Sequence, residues 1–171
     1  ESFAPVATDT TVRTTLCIYL YYAQGRHGLI FVCEMIDIAA AFLEGDMDSP
    51  TFIDWPKGML EMGFATQEDL KGFCLQLLKS MYGNVDAALR FFRTYSEHLM
   101  GPKMNMKQSL ADPCVFYKPN KDNQTVLIAV CFVDDTLLVG TKEEVEWFKA
   151  GVKTRFEYKD LGKLRKHLGV W

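Results

Sequence analysis

Apolar and polar positions along this 171-residue chain switch repeatedly between a helical period and strand-like runs. Thr10 to Gln24 reads as a helix, with Asp9 or Thr10 as its N-cap and Gly25 near its stop. Leu29–Ile38, L-I-F-V-C-E-M-I-D-I, reads as a largely buried strand, apolar except for Glu34 and Asp37. Thr51–Trp55 predicts a short strand ended by Pro56, and Lys57–Ala65 a loop containing Gly and Met. Gln67–Lys71 is too short to show a period, whereas Phe73–Lys79 is strand-like. From Val85 to Met100, residues Ala88, Leu89, Phe92, Tyr95 and Leu99 recur at helical spacing, and Gly101-Pro102 ends the run. Cys114–Lys118 predicts a strand, Thr125–Gly140 two strands joined by a hairpin, and Lys142 to about Lys153 a helix with Val145, Phe148 and Val152 on one face. Phe156–Trp171 alternates short strands with Gly turns. Strands and helices mix without a regular βαβ rhythm, so the expected class is α+β.

The hairpin holds the most informative chemistry. In T-V-L-I-A-V-C-F-V-D-D-T-L-L-V-G, Asp134 and Asp135 interrupt an almost purely apolar run. Adjacent carboxylates at a buried strand junction each make the other harder to ionise. A divalent cation with oxygen ligands relieves that cost. The plain alternative is a solvated turn, where Asp satisfies turn backbone groups. A third carboxylate shifts the balance: Asp37 lies near the C-terminal end of its apolar strand. Three carboxylates at one sheet position are the minimum for two Mg²⁺ ions about 4 Å apart, the arrangement that serves phosphoryl transfer.

Composition narrows the class without changing that picture. Hydrophobic residues make up 49% and charged residues 24%, as in ordinary globular domains of one-domain size. No apolar stretch is long enough to span a bilayer, and E-S-F-A-P-V-A shows no signal peptide. Five separated cysteines, four of them in apolar segments, read as small core residues in a reducing compartment. His27, His98 and His167 share no metal-ligand spacing, which argues against zinc. The net charge of −3 offers nucleic acid no general attraction, yet Lys149 to His167 carries seven Lys/Arg against two acids, leaving 12 basic against 20 acidic residues elsewhere. A basic tail on an acidic body suits phosphate contact. A solvated amphipathic helix followed by a strand explains the same charges.

Five segments occur in order: Asp37–Met47 (D-I-A-A-A-F-L-E-G-D-M), Lys79–Phe92 (K-S-M-Y-G-N-V-D-A-A-L-R-F-F), Ala111–Lys118 (A-D-P-C-V-F-Y-K), Phe132–Gly140 (F-V-D-D-T-L-L-V-G) and Asp160–Val170 (D-L-G-K-L-R-K-H-L-G-V). Together with E-S-F-A-P-V-A at the start, they resemble the reverse transcriptase domain of copia-type long-terminal-repeat retrotransposons over essentially the whole chain. The resemblance implies a right-hand polymerase: a palm with a small antiparallel sheet backed by helices, plus part of the fingers, over residues 1–171. It implies that Asp37, Asp134 and Asp135 are the catalytic, metal-holding carboxylates for two Mg²⁺ (Mn²⁺ being a possible substitute). Phe42 falls where reverse transcriptases place an aromatic steric gate against a ribose 2′-hydroxyl. Phe42, its neighbour Ala41 and Arg90 are then the nucleotide-binding positions. Lys153, Lys159, Lys163 and Gly169 fall where primer, template or leaving pyrophosphate contacts are expected.

Several positions depart from the usual family pattern. Phe132 replaces the Tyr of Tyr-x-Asp-Asp, Ala39 stands where Lys is frequent, and Asp86 replaces a Gln expected near nucleotide or template. An anionic Asp86 beside a triphosphate is unfavourable unless it faces away. The implied partners are an RNA/DNA template-primer, deoxynucleoside triphosphates and the integrase and ribonuclease H segments of a polyprotein. The family's setting is cytoplasmic virus-like particles, with later access to the nucleus. By the same resemblance the chain begins after a basic fingers strand and stops before a thumb and ribonuclease H. The expectation is a polymerase fragment, inactive in isolation. The rival readings are an inactive retroelement remnant that at most binds nucleic acid or a partner, and a metal-dependent phosphohydrolase. The latter shares the carboxylates but accounts for neither Phe42 nor the second motif.

Overall fold

The computed structural model describes residues 3–25 and 28–164. Four helices and eight strands follow in the order α1 (Asp9–Tyr22), β1 (Phe31–Ile38), a 3-10 turn (Ala41–Leu43), β2 (Asp46–Ile53), α2 (Asp69–Gly72), β3 (Leu75–Lys79), α3 (Ala87–Met100), β4 (Lys107–Gln108), β5 (Val115–Pro119), β6 (Thr125–Phe132), β7 (Asp135–Thr141), α4 (Lys142–Lys153) and β8 (Tyr158–Lys163). Six strands form one antiparallel sheet in the order β4-β5-β6-β7-β1-β8, and β2 and β3 pair as a separate antiparallel ribbon. The class is α+β.

Successive side chains of a strand point to opposite faces, and each face of the sheet is apolar here. On one face Phe31, Cys33, Met35, Leu137 and Val139 pack under α1 with Val12. On the other Ile36, Ile38, Leu127 and Leu138 meet Phe91, Tyr95 and Leu99 of α3 and Val145, Phe148 and Val152 of α4. Covering both faces explains why β6 and β7 read as continuous apolar runs rather than alternating ones. Gly140 in β7 is set by close approach, because a Cβ there would lie 2.5 Å from the Val126 carbonyl oxygen and 2.9 Å from Leu127 Cα.

Local signals place the helices. α1 starts after Thr8, whose side chain accepts a hydrogen bond from the Thr11 N–H at 3.2 Å. This moves the expected N-cap from Asp9 or Thr10 back to Thr8, and the helix ends at Tyr22 rather than Gln24. Thr141 ends β7 and caps α4 in the same residue, with Glu143 and Glu144 in the first turn, where the helix dipole favours acids. α3 begins at Ala87, two residues later than its apolar spacing suggests, and its buried face also shifts. Phe91, Thr94, Tyr95, Ser96 and Leu99 point inward, whereas Phe92 is only partly buried. A helix packed at once against the sheet, the 3-10 turn and β2 buries a wider arc than one apolar stripe reveals.

Other expectations also change. β2 starts at Asp46, well before Thr51, because its polar first half pairs irregularly with β3. Cys33, Cys114 and Cys131 are buried, but Cys17 and Cys74 are exposed. The C-terminal helix is not simply solvated, since Lys149 is 4% exposed. Gly169 and the H-L-G-V-W segment lie outside the described residues. No helix among the described residues is long and apolar enough to cross a membrane.

Candidate active site

β1 and β7 lie side by side, and their register sets Asp37 opposite Asp135. Facing residues of an antiparallel pair project to the same side of the sheet, so both carboxylates share the face of Phe31, Met35 and Leu137. Phe132 completes the row from β6, opposite Asp135. Asp134 sits in the two-residue β6–β7 turn, and its carbonyl accepts from the Ile38 N–H at 2.8 Å. Val133, the first residue of that turn, has φ +45°. A two-residue hairpin of this hand ordinarily takes Gly there, so a β-branched residue holds a strained conformation beside the carboxylates.

Like charges directly opposite one another in a sheet repel. The Asp135 carboxyl is pushed above the ordinary aspartate range, first by partial burial and then by the charges of Asp134 and Asp37. Among the described residues, the ion pairs with Lys, Arg or His involve none of the three. Nor are any three His, Cys, Asp or Glu side chains among the described residues gathered closely enough to hold a metal ion. The register sets Asp37 opposite Asp135 and beside the Asp134 turn without the three carboxylates forming such a group. The donor set, oxygen only and of one sign, fits a hard divalent cation.

The other predicted residues divide clearly. Lys159 of β8 is the cross-strand partner of Asp37, so the site row runs Lys159, Asp37, Asp135, Phe132 across four strands. Lys163 is opposite Glu34 instead, on the reverse face, because a bulge between Met35 and Ile36 shifts the register. Lys153 is exposed at the end of α4. The register thus separates three lysines that looked equivalent in the sequence.

Phe42 lies in the 3-10 turn that follows β1, after Ala40 with φ +51°. Its ring meets the Tyr82 ring edge-on at 5.3 Å. The two rings border a small cavity of about 220 Å³ with Gly83, Asn84, Val85, Ala87 and Ala88. Ala41 is 3% exposed and packs in the core against α3. Arg90 is committed elsewhere: Nε and Nη2 reach Asp86 at 2.8 and 2.7 Å, Nη1 donates to the Asp46 carbonyl at 3.3 Å and pairs with Asp48. Asp86 is thereby explained as the partner of an arginine one helical turn on, and Arg90 ties α3 to β2.

The sequence drew no attention to a network on the reverse face. Glu34 and Lys149, each with a side chain 5% exposed, pair at 2.5 Å. Lys142 reaches Glu34 at 2.9 Å, and Lys149 also reaches Asp160 of β8 at 2.7 Å. Burial raises the Glu34 pKa, but the hydrogen bonds and charges of Lys149 and Lys142 outweigh it and hold the group below its usual range. One polar residue in an apolar strand was the available signal, and its partner lies 115 positions away.

Comparison with known proteins identifies the family. The family described as reverse transcriptase (RNA-dependent DNA polymerase) matches residues 1–171. The chain is 28% identical over 171 residues to the retrovirus-related Pol polyprotein from transposon TNT 1-94 of Nicotiana tabacum. That match covers 99% of this chain and 12% of the polyprotein. No solved structure matches the chain significantly.

Proposed function

The chain belongs to the reverse transcriptase (RNA-dependent DNA polymerase) family, and on that premise we propose that it is the catalytic core of an RNA-directed DNA polymerase within a retrotransposon polyprotein. In this reading the six-stranded sheet with α3 and α4 is the palm, and the β2–β3 ribbon belongs to the fingers. The observation that carries it is the placement of Asp37 and Asp135 face to face, with Asp134 in the adjoining turn. Asp37, Asp134 and Asp135 would hold the Mg²⁺ ions. When bound, those ions supply activation of a primer 3′-hydroxyl and neutralisation of the phosphate charge of an incoming deoxynucleotide.

The chain's own groups supply the remaining work. Partial burial and the neighbouring charges of Asp134 and Asp37 make the Asp135 carboxylate costly to ionise, so it favours a cation over solvent. Lys159, the cross-strand partner of Asp37, would supply a cation beside the carboxylates for phosphate charge. Phe42 at the mouth of its turn would exclude a ribose 2′-hydroxyl by contact. Arg90 belongs to the scaffold and not to the phosphate site, because its guanidinium is spent on Asp86 and Asp48. The partners in this reading are a template-primer, deoxynucleoside triphosphates and the neighbouring polyprotein segments, in a cytoplasmic particle.

The test is primer extension on an RNA template by the polymerase that carries this chain. Asp134→Asn should abolish extension in Mg²⁺ while leaving the far-ultraviolet circular dichroism spectrum unchanged. Extension by that variant at the parent's rate would overturn the assignment.

A further inference from the structure

The turn that carries Phe42 is held from outside itself. Within it, the Leu43 N–H donates to the Ala40 carbonyl at 2.7 Å and the Glu44 N–H to the Ala41 carbonyl at 3.0 Å. The Phe42 carbonyl is taken by the Ser80 hydroxyl, which donates to it at 2.5 Å across 38 positions of chain. Ser80 is 1% exposed, and its own N–H donates to the Gly45 carbonyl at 2.8 Å. Gly45 closes the arrangement: a Cβ there would lie 2.7 Å from Ser80 Oγ and 2.7 Å from Arg90 Cβ. Ser80 is therefore held against the Phe42 turn and Gly45, which itself abuts α3, and Tyr82, two residues on, rests its ring against that of Phe42.

We propose that Ser80 is a positioning residue for sugar discrimination, its buried hydroxyl fixing the backbone of Phe42 so that the ring cannot yield to a ribose 2′-hydroxyl. The proposal rests on the reading of Phe42 as the sugar gate. A steric gate discriminates only as far as its mount is stiff, since a ring that can retreat by a fraction of an ångström admits one more oxygen. Ala40, in the left-handed region, gives this turn a reason to relax once its outer tether is cut.

The experiment compares kcat/KM for dGTP and GTP in the polymerase that carries this chain. Ser80→Ala should raise kcat/KM for GTP about fivefold, the ordinary net worth of one hydrogen bond. The gain should appear mainly as a lower KM for GTP, with kcat for dGTP within about twofold of the parent. Val152→Ala, a core truncation in α4, controls for general destabilisation and should depress both nucleotides in parallel. If Ser80→Ala behaves as Val152→Ala does, the proposal is overturned. Phe42→Ala separates the two levels. If it relaxes selectivity and Ser80→Ala does not, Ser80 is wrong and the gate stands; if it leaves selectivity unchanged, the gate fails and Ser80 with it. A readout independent of turnover uses the 171-residue chain. The Phe42 ring resonances, displaced by the Tyr82 ring, should move toward their free values in Ser80→Ala and stay in place in Val152→Ala, and unmoved resonances in Ser80→Ala would also overturn the proposal.

Discussion

Lys149→Met removes the only buried cation among the described residues. In the parent, its ammonium lies 2.5 Å from Glu34 and 2.7 Å from Asp160. The substitution preserves length and apolar stem while leaving Glu34, 4% exposed, with Lys142 alone. Lys142 is 60% exposed at its side chain, so water screens its help. Removing one partner of a buried pair costs about 3–5 kcal/mol, chiefly because the remaining charge stays desolvated. The retained contact to Lys142 puts the expected loss at the lower end, about 3 kcal/mol. Replacing both partners with apolar groups of similar size is close to neutral, so Glu34→Leu with Lys149→Met should lie within about 1 kcal/mol of the parent. Urea unfolding at pH 7, followed by far-ultraviolet circular dichroism, reads both variants through their midpoints. Sodium chloride at high concentration should leave the Lys149→Met deficit intact, because the pair is buried. A single variant losing under 1 kcal/mol, or a double variant as unstable as the single, would refute the claim that desolvation governs this network.

Other expectations follow from the same geometry. Asp135 has its carboxyl raised on folding, so the folded chain holds that proton more tightly, and its ionisation costs stability as pH rises above the ordinary aspartate range. Asp135→Asn should therefore raise the melting temperature at pH 7, and Mg²⁺ should raise it for the parent but not the variant; equal responses to Mg²⁺ would count against a cation site. Glu34 and Asp160 are displaced downward: burial raises both, but lysine contacts, joined at Asp160 by the Gly162 N–H, outweigh it. The stability they contribute is full above the normal carboxylate range and is lost as pH falls through their lowered values, which acid titration of the urea midpoint will show unless the network is absent. Arg90→Ala should cost about 2 kcal/mol, since charge-assisted hydrogen bonds to Asp86 and the Asp46 carbonyl are lost. Unchanged stability with weakened nucleotide binding would instead return Arg90 to the phosphate site.

What could be read in the sequence depended on how locally each feature is determined. The three carboxylates stood out because Asp37, Asp134 and Asp135 each interrupt an apolar run, and a charge in such a run needs a reason wherever the run is placed. That Asp37 faces Asp135, and that Lys159 rather than Lys163 stands beside it, follows from register. Register here depends on a bulge between Met35 and Ile36 and on a two-residue turn with Val133 at positive φ, and neither leaves a pattern of period two. Asp86 was misleading for a related reason. Set against a nucleotide it is a liability, but one turn along α3 it meets Arg90, and the pair explains the residue without any ligand. Ser80 shows the limit most clearly. Ser80 falls inside the second motif, yet a serine after a strand has neither periodicity nor charge to single it out, and its contact with the Phe42 carbonyl, left over by that residue's own turn, appears only in the packed structure. The carboxylates that would perform the chemistry announce themselves by their cost. The groups that would hold the chemistry in place cost nothing in sequence terms, because each is satisfied by a partner tens of residues away, and only the packed structure brings the two together.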